Sequence, residues 1–258
     1  MLVSQASFFS IHFASGSGDS NLPHRWAALF YPMSYQPVTA PPPVSTTEFS
    51  FTCFTCADYF AAGHRTTGTY MMRLLRRTAK INVPALCDME NGGMTVIQQR
   101  LDERLSFARD WSDYKAGFGT PAKNMNFWWG LENIHLLTTY CGHSRIRFDM
   151  RDCQDGSTAY ETYNTFLVYS ESTNYALHVD GPAGNASDGL ELPSSSYSAD
   201  GMQFSTKDAD HDKWPQRCSV DNNRGSSGWW WNQCGYANPN GIYSTICNGD
   251  QSGIAWLY

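Results

Sequence analysis

The chain has 258 residues, 41% of them hydrophobic, enough for one sizeable core or one core plus a smaller lobe. Aromatics are abundant at 14% and charged residues sparse at 16%, which suits a loop-rich extracellular module better than a cytosolic helical enzyme. The formal charge of −6 excludes a nucleic-acid reader, because no basic face is available to displace counterions from phosphates. No apolar run is long enough for a membrane span. The one local basic cluster, Arg73, Arg76, Arg77 and Lys80, lies in an apolar stretch and reads as the half-exposed face of a strand or helix.

Residues 1–50 show no sustained hydrophobic period, and Pro37 to Thr47 is a Pro/Ser/Thr linker, so this stretch is expected to be a mostly disordered arm. The opening M-L-V-S-Q-A-S-F-F-S-I-H-F-A-S lacks a basic leader and a clean apolar run, so no signal peptide is legible there. Order is expected from residue 51 to 258. Thr67–Leu75 and Ile81–Leu86 read as short strands leading to Cys87, and the alternation of Met94–Leu101 predicts a half-buried strand. Ser106–Tyr114 spaces Phe107, Asp110, Trp111 and Tyr114 as a short amphipathic helix, stopped by Gly117 and Gly119. After the aromatic segment Phe127–Trp129, Leu131–Thr138 predicts a second helix. Ser144–Arg151 alternates cleanly as a strand, and Tyr160–Tyr169 and Tyr175–Val179 predict two more. Gly181–Ala199 is loop-like, and loops dominate to the end, with only Trp229–Trp231 and Gly253–Leu257 looking buried.

The chemistry concentrates in Lys207 to Cys234. Asp208, Asp210 and Asp212 alternate there, and carboxylates so dense repel one another unless a cation sits among them. A hard divalent ion such as calcium accepts carboxylates, backbone carbonyls and water in flexible geometry. The spacing is not that of an EF-hand, since neither its glycine nor its closing glutamate is present. The plain alternative is a solvated acidic turn, against which stand the bracketing Cys218 and Cys234 and the Trp229–Trp231 cluster.

Eight cysteines without zinc spacing read as disulfides, hence an oxidising compartment and a secreted protein. A redox role for the Cys53–Cys56 pair is the minor alternative, since no thioredoxin-type context surrounds it. Cys141 and Cys153 flank the Ser144–Arg151 strand and are placed to bridge its ends to a neighbour, while the extended residues between them strain a direct link. Cys53 and Cys247 are open to pairing with each other, pairing between chains, or remaining free. Asn185-Ala186-Ser187 is a glycosylation sequon in a loop, or a plain loop asparagine. His135, His143 and His211 lie near carboxylates or hydroxyls, but no nucleophile elbow, zincin or phosphate loop accompanies them, which argues against an enzyme.

Six blocks follow one another along the chain: C-D-M-E-N-G-G-M-T-V-I-Q-Q-R (Cys87–Arg100), S-F-A-R-D-W-S-D-Y-K-A-G-F-G (Ser106–Gly119), F-W-W-G-L-E-N-I-H-L-L-T, R-I-R-F-D-M-R-D, M-Q-F-S-T-K-D-A-D-H-D and N-Q-C-G-Y-A-N-P-N-G-I-Y. Together they resemble the fibrinogen-like C-terminal domain, whose members include ficolins, tachylectins and the tenascin C-terminal domains. The resemblance implies an α+β fold with a small disulfide-held N-terminal subdomain and a twisted antiparallel central sheet flanked by helices. A loop-rich, calcium-binding C-terminal lobe would follow. By position it implies Cys56–Cys87 and Cys218–Cys234 disulfides and a calcium ion held by the side chains of Asp210 and Asp212 and the carbonyls of Trp214 and Gln216. Asp208 would stand behind these ligands or face solvent, and the bond before Cys234 is a candidate cis peptide.

The chain departs from the lectin-like members at their acetyl pocket. Gly235 stands where a histidine follows the cysteine, and Asp250-Gln251-Ser252 replaces the Tyr-Ala context before Gly253. An acetyl methyl binds poorly beside a charge that must be desolvated. Tyr236, Tyr243 and Trp231 offer another aromatic surface, and Asp221 lies near positions that grip a peptide amino terminus in the fibrinogen chains. The candidate ligand residues are thus Asp221, Gly235, Tyr236, Tyr243, Asp250 and Gln251. The first reading is a secreted, calcium-stabilised recognition module for glycans or acetylated surface ligands. The second is an extracellular protein-binding module without a sugar pocket, and the departures favour it. A homo-oligomer stays open, with no coiled-coil or collagen-like stretch to drive it. Family members also continue past the Gly-x-x-Trp segment with a strand that completes the central sheet. Unless another segment fills that place, the sheet is expected to keep an exposed edge.

Overall fold

The computed structural model describes residues 3–15, 52–76, 79–142, 144–220, 224–244 and 252–257. In chain order these form β1 (Val3–Ser15), α1 (Cys56–Ala61), β2 (Gly68–Arg76), β3 (Ala79–Asp88), β4 (Met94–Arg100), α2 (Trp111–Ala116), β5 (Phe118–Gly119) and β6 (Phe127–Trp128). Then follow α3 (Leu131–Tyr140), β7 (Ser144–Asp152), β8 (Thr158–Val168), β9 (Leu177–Pro182), β10 (Ala237–Asn238) and β11 (Ala255–Leu257). The main sheet runs β2-β3-β4-β1-β7-β8-β9, and every described pairing between named strands is antiparallel.

Strand β1 falls within the arm expected to lack order. It lies between β4 and β7, with Ser10 opposite Gln99 on one side and Asp149 on the other, and its first residues pair with β11. A segment from the other end of the chain thus supplies an interior strand of the sheet. The remainder of the predicted arm lies outside the described residues.

The alternation that predicted β7 has a direct cause. Ile146, Phe148 and Met150 are buried, while Arg145, Arg147, Asp149 and Arg151 take the other face. Strand β4 departs from its half-buried prediction: Thr95, Val96, Ile97, Gln98 and Arg100 are all buried. It is interior to the sheet and covered on both faces, as a strand with neighbours on each side and layers above and below must be. Helix α1 lies against β4, while α3 buries Leu131, Ile134, Leu136 and Leu137 against β2 and β8 elsewhere in the same sheet.

Helix α2 begins later than predicted. Residues 106–110 are not helical, because the Phe107 carbonyl accepts the Tyr114 hydroxyl at 2.8 Å, and the first helical bond runs from the Tyr114 amide to Asp110. Gly117 ends the helix at φ +93°, where a Cβ would sit 2.9 Å from the Trp129 carbonyl oxygen. Strand β9 also starts late, because Asn174 and Tyr175 take left-handed φ values of 52° and 50° and turn the chain first.

Two of the described disulfides are those the resemblance implied, Cys56–Cys87 and Cys218–Cys234. Cys53 pairs with Cys141, which excludes the direct Cys141–Cys153 link and ties the entry of the domain to the end of α3. Cys153 is also disulfide-bonded. The Trp229–Trp231 run is core: all three rings are at most 2% exposed, and Trp230 packs on Phe204 with ring centroids 5.0 Å apart. The Trp230 indole N–H donates to the Tyr175 carbonyl at 2.8 Å, so its burial leaves no orphaned donor.

Candidate functional site

The acidic turn is built from the strand-poor stretch after Phe204. Asp208 points at helix α2, where its Oδ1 accepts the Trp111 amide at 2.9 Å and the Thr206 hydroxyl at 2.7 Å. Burial pushes its carboxyl up, but these two bonds, its own backbone amide and the Lys207 charge together leave it below the usual range. A carboxylate at the first turn of a helix satisfies an amide the helix cannot. Asp208 Oδ1 thus ties the acidic turn to the start of helix α2.

Asp210 and Asp212 face one another. The Asp212 amide donates to Asp210 Oδ1 at 3.2 Å, and the two carboxyl groups lie close enough that Asp210 disfavours ionisation of Asp212. The Asp212 pKa is raised to about 6, first by burial and then by Asp210, against the opposing bonds from the backbone of Cys218 and Trp214. Oδ1 accepts the Trp214 amide and Oδ2 the Cys218 amide, both at 2.8 Å. One carboxylate therefore joins the acidic turn to a cysteine of the Cys218–Cys234 bridge. The segment leading into Cys234 also meets the turn, where the Asn232 carbonyl accepts the Lys213 amide at 3.0 Å.

Among the described residues no group of three or more Asp, Glu, His or Cys side chains converges on one point. A cation here would need backbone oxygens to supplement the two carboxylates. Among the described hydrogen bonds none takes the carbonyl of Trp214 or Gln216, and both residues are exposed. Two carboxylates and two open carbonyls are oxygen donors of the kind a hard cation accepts.

The loop after the bridge carries the candidate contact surface. The Gln233–Cys234 bond is trans, since no cis peptide occurs among the described residues, and Cys234 instead turns the chain at φ +69°. Gly235 follows at φ +68°. Tyr236 packs on Tyr197 at a tilt of 51° with ring centroids 4.9 Å apart, and Tyr197 is 39% exposed. Trp231 does not join this surface, being wholly buried. Tyr243 lines a cavity of about 140 Å³ with Arg100, Glu103, Phe107 and Ile242. Its hydroxyl is pushed up by burial and by Asp102 and Glu103, with Arg100 opposing. Asp221, Asp250 and Gln251 lie outside the described residues.

Two guanidinium groups escaped the sequence reading. Arg224, 5% exposed, donates from Nη2 to the Gly235 carbonyl at 3.3 Å and lies over the Trp231 ring. Arg100, 1% exposed, donates from Nη1 to the carbonyls of Pro239 and Gly241 and sits 3.8 Å over the Phe107 ring. Burial lowers its pKa to about 10, so it stays charged at neutral pH. Both arginines brace the loops on either side of β10. The only clue in the sequence was a basic residue at the end of an alternating strand and another in a Gly/Ser loop.

His135 and His211 have structural partners. Their Nδ1 atoms bond the carbonyls of Val168 at 2.8 Å and Phe204 at 2.7 Å. His143 lies outside the described residues. Asn185 is exposed, and its Oδ1 accepts the Tyr160 amide at 2.7 Å.

Known proteins match this architecture. Fibrinogen-like protein 1 of Bos taurus is 38% identical over 210 residues, covering 78% of this chain and 65% of its own length. Human angiopoietin-2 is 37% identical over 207 residues, covering 79% of this chain but 39% of its own length. Among solved structures, the fibrinogen-like globe domain of human ANGPTL2 superposes with a TM-score of 0.69 at 32% identity, covering 79% of this chain and 89% of that one. Lamprey fibrin D-dimer, complexed with the peptide Gly-His-Arg-Pro-amide, gives 0.67 at 31% identity, covering 78% and 67%. The family profile described as the C-terminal globular domain of fibrinogen beta and gamma chains matches residues 53–258. With its sheet, its two expected disulfides and these relatives in agreement, the chain belongs to the fibrinogen C-terminal domain family.

Proposed function

We propose that this domain is an extracellular protein-binding module, with its contact surface on the loop that carries Gly235 and Tyr236. The observation that carries this reading is the combination at those two positions. Where lectin-like members would present a histidine, there is no side chain, and beside it the Tyr197–Tyr236 pair offers aromatic area to a partner. Aromatic anchors on a rigid support dominate protein interfaces, because they bury large area at little entropic loss. The rigidity has named sources: the Cys218–Cys234 bridge, the buried Trp229–Trp231 run and the Arg224 bond to Gly235. The peptide complex of the lamprey fibrin relative supports a peptide-like partner over a sugar. The three described disulfides support an oxidising compartment.

Calcium belongs to the same proposal. Asp210 and Asp212, with the carbonyls of Trp214 and Gln216, would hold it, and the ion would neutralise two facing carboxylates that otherwise oppose each other. Its role would be to stiffen the turn joined through Asp212 to the Cys218 amide.

The test is an array of acetylated glycans, run with calcium and with EDTA, beside binding to cells stripped either by protease or by glycosidases. Blank glycan spots, and cell binding that protease removes and glycosidases spare, are expected. Calcium-dependent retention on acetylated sugars would overturn the reading.

A further inference from the structure

Strand β1 occupies an interior place in the sheet without being joined to any strand it touches. It ends at Ser15, whereas β4 begins at Met94, β7 at Ser144 and β11 at Ala255. No hairpin obliges it to dock on its own chain. Its covalent connection to the domain runs through residues 16–51, which at full extension reach roughly 120 Å. A domain of this size is only about 40–45 Å across. The connection is therefore long enough to allow docking on a neighbouring copy as well as on its own sheet, and the choice rests on concentration.

We propose that the place between β4 and β7 is a strand-receiving site, and that β1 of a second copy of this chain fills it when chains are crowded. Exchange of identical strands loses no ladder hydrogen bond, since each pair broken within a chain is remade between chains. The site also selects its occupant. Register shifts occur between Ile11 and His12 against β4, and between Ala6 and Phe8 against β7. Irregularities of this kind pin register, so an arbitrary extended peptide does not match both edges at once. At low concentration the tethered strand wins, because tethering confers an effective concentration on the order of millimolar. Exchange therefore grows as chains are concentrated, and it would pair two copies of the contact surface. The inference is independent of what that surface binds.

The test uses the full chain in two single variants, Ser10→Cys and Gln99→Cys, positions that oppose each other across β1 and β4. The variants are mixed, concentrated and treated with a short bis-maleimide. Interchain product is expected, rising about tenfold for a tenfold rise in concentration while the population is mostly monomeric. The double variant should close within one chain at low concentration. Adding Ile11→Pro to the Ser10→Cys chain should abolish the interchain product, because proline removes a ladder donor at a buried central position. No interchain product at any concentration, while the double variant closes, would overturn the proposal. So would failure of the double variant to close, or product that survives Ile11→Pro.

Discussion

Asp212 is where the proposed ion, the disulfide and the fold meet, so its replacement by asparagine tests the calcium reading most directly. Both carboxylate oxygens accept backbone amides, from Trp214 and Cys218. Asparagine keeps one acceptor and turns a donor towards the other amide, which predicts a loss of about 1–3 kcal/mol in the ion-free protein. The pH dependence provides a second, independent signature. In the ion-free fold the Asp212 pKa is raised to about 6, so between the unfolded value near 4 and about 6 the native state holds more protons than the unfolded chain. Ion-free stability therefore falls as pH rises through that window, by an amount muted because the group is half exposed. Calcium reverses the sign, because it binds only the ionised pair. Going from about pH 7 to about pH 5 leaves roughly a tenth of Asp212 ionised and weakens calcium binding about tenfold. At a calcium level about a hundred times the neutral-pH dissociation constant, the stabilisation drops from about 2.7 to about 1.4 kcal/mol. For a domain of this size that difference is about 3–5 °C in Tm. Thermal melts with calcium and with EDTA at both pH values read it directly. A calcium increment that is equal at both pH values, or that survives Asp212→Asn, would refute the reasoning.

Three further outcomes are expected. Cys218→Ser opens a bridge closing a sixteen-residue separation and should cost about 3 kcal/mol in denaturant melts, together with a weakened calcium increment, because the Cys218 amide holds Asp212. Ile11→Ala, at a residue 1% exposed in a central strand, should cost about 2–5 kcal/mol by chemical denaturation. A near-silent result there would mean that β1 does not occupy the sheet. Tyr236→Ala should leave the melting temperature nearly unchanged but weaken binding to glycosidase-treated cells by about fivefold or more, since the ring is only half-buried and packs on the exposed Tyr197.

The acidic turn was legible in the sequence. The alternation of Asp208, Asp210 and Asp212 marked the turn, and the structure brings the last two together while sending the first to helix α2. Sequence spacing did not settle what Asp208 does, because its partner Trp111 lies in a segment far away along the chain. The aromatic surface was half legible. Tyr236 is on it, but its partner Tyr197 came from a stretch read only as loop, and Trp231 turned inward. The buried arginines were not legible, because a long side chain tolerates either water or a cage of carbonyls and the sequence does not say which.

What the sequence determined by itself was local or carried by motif: the alternating strands, the second helix, the cysteines of the two family bridges and the acidic turn. Such features repeat at the period of the backbone or sit in short ordered blocks, so a linear reading captures them. Tertiary structure alone decided that β4 is covered on both faces, that Cys53 meets Cys141, and that the first strand of the chain completes the middle of the sheet. Each of these depends on segments that meet across long stretches of chain. Their pairing is favourable only once the rest of the core has formed around them, which no local pattern encodes.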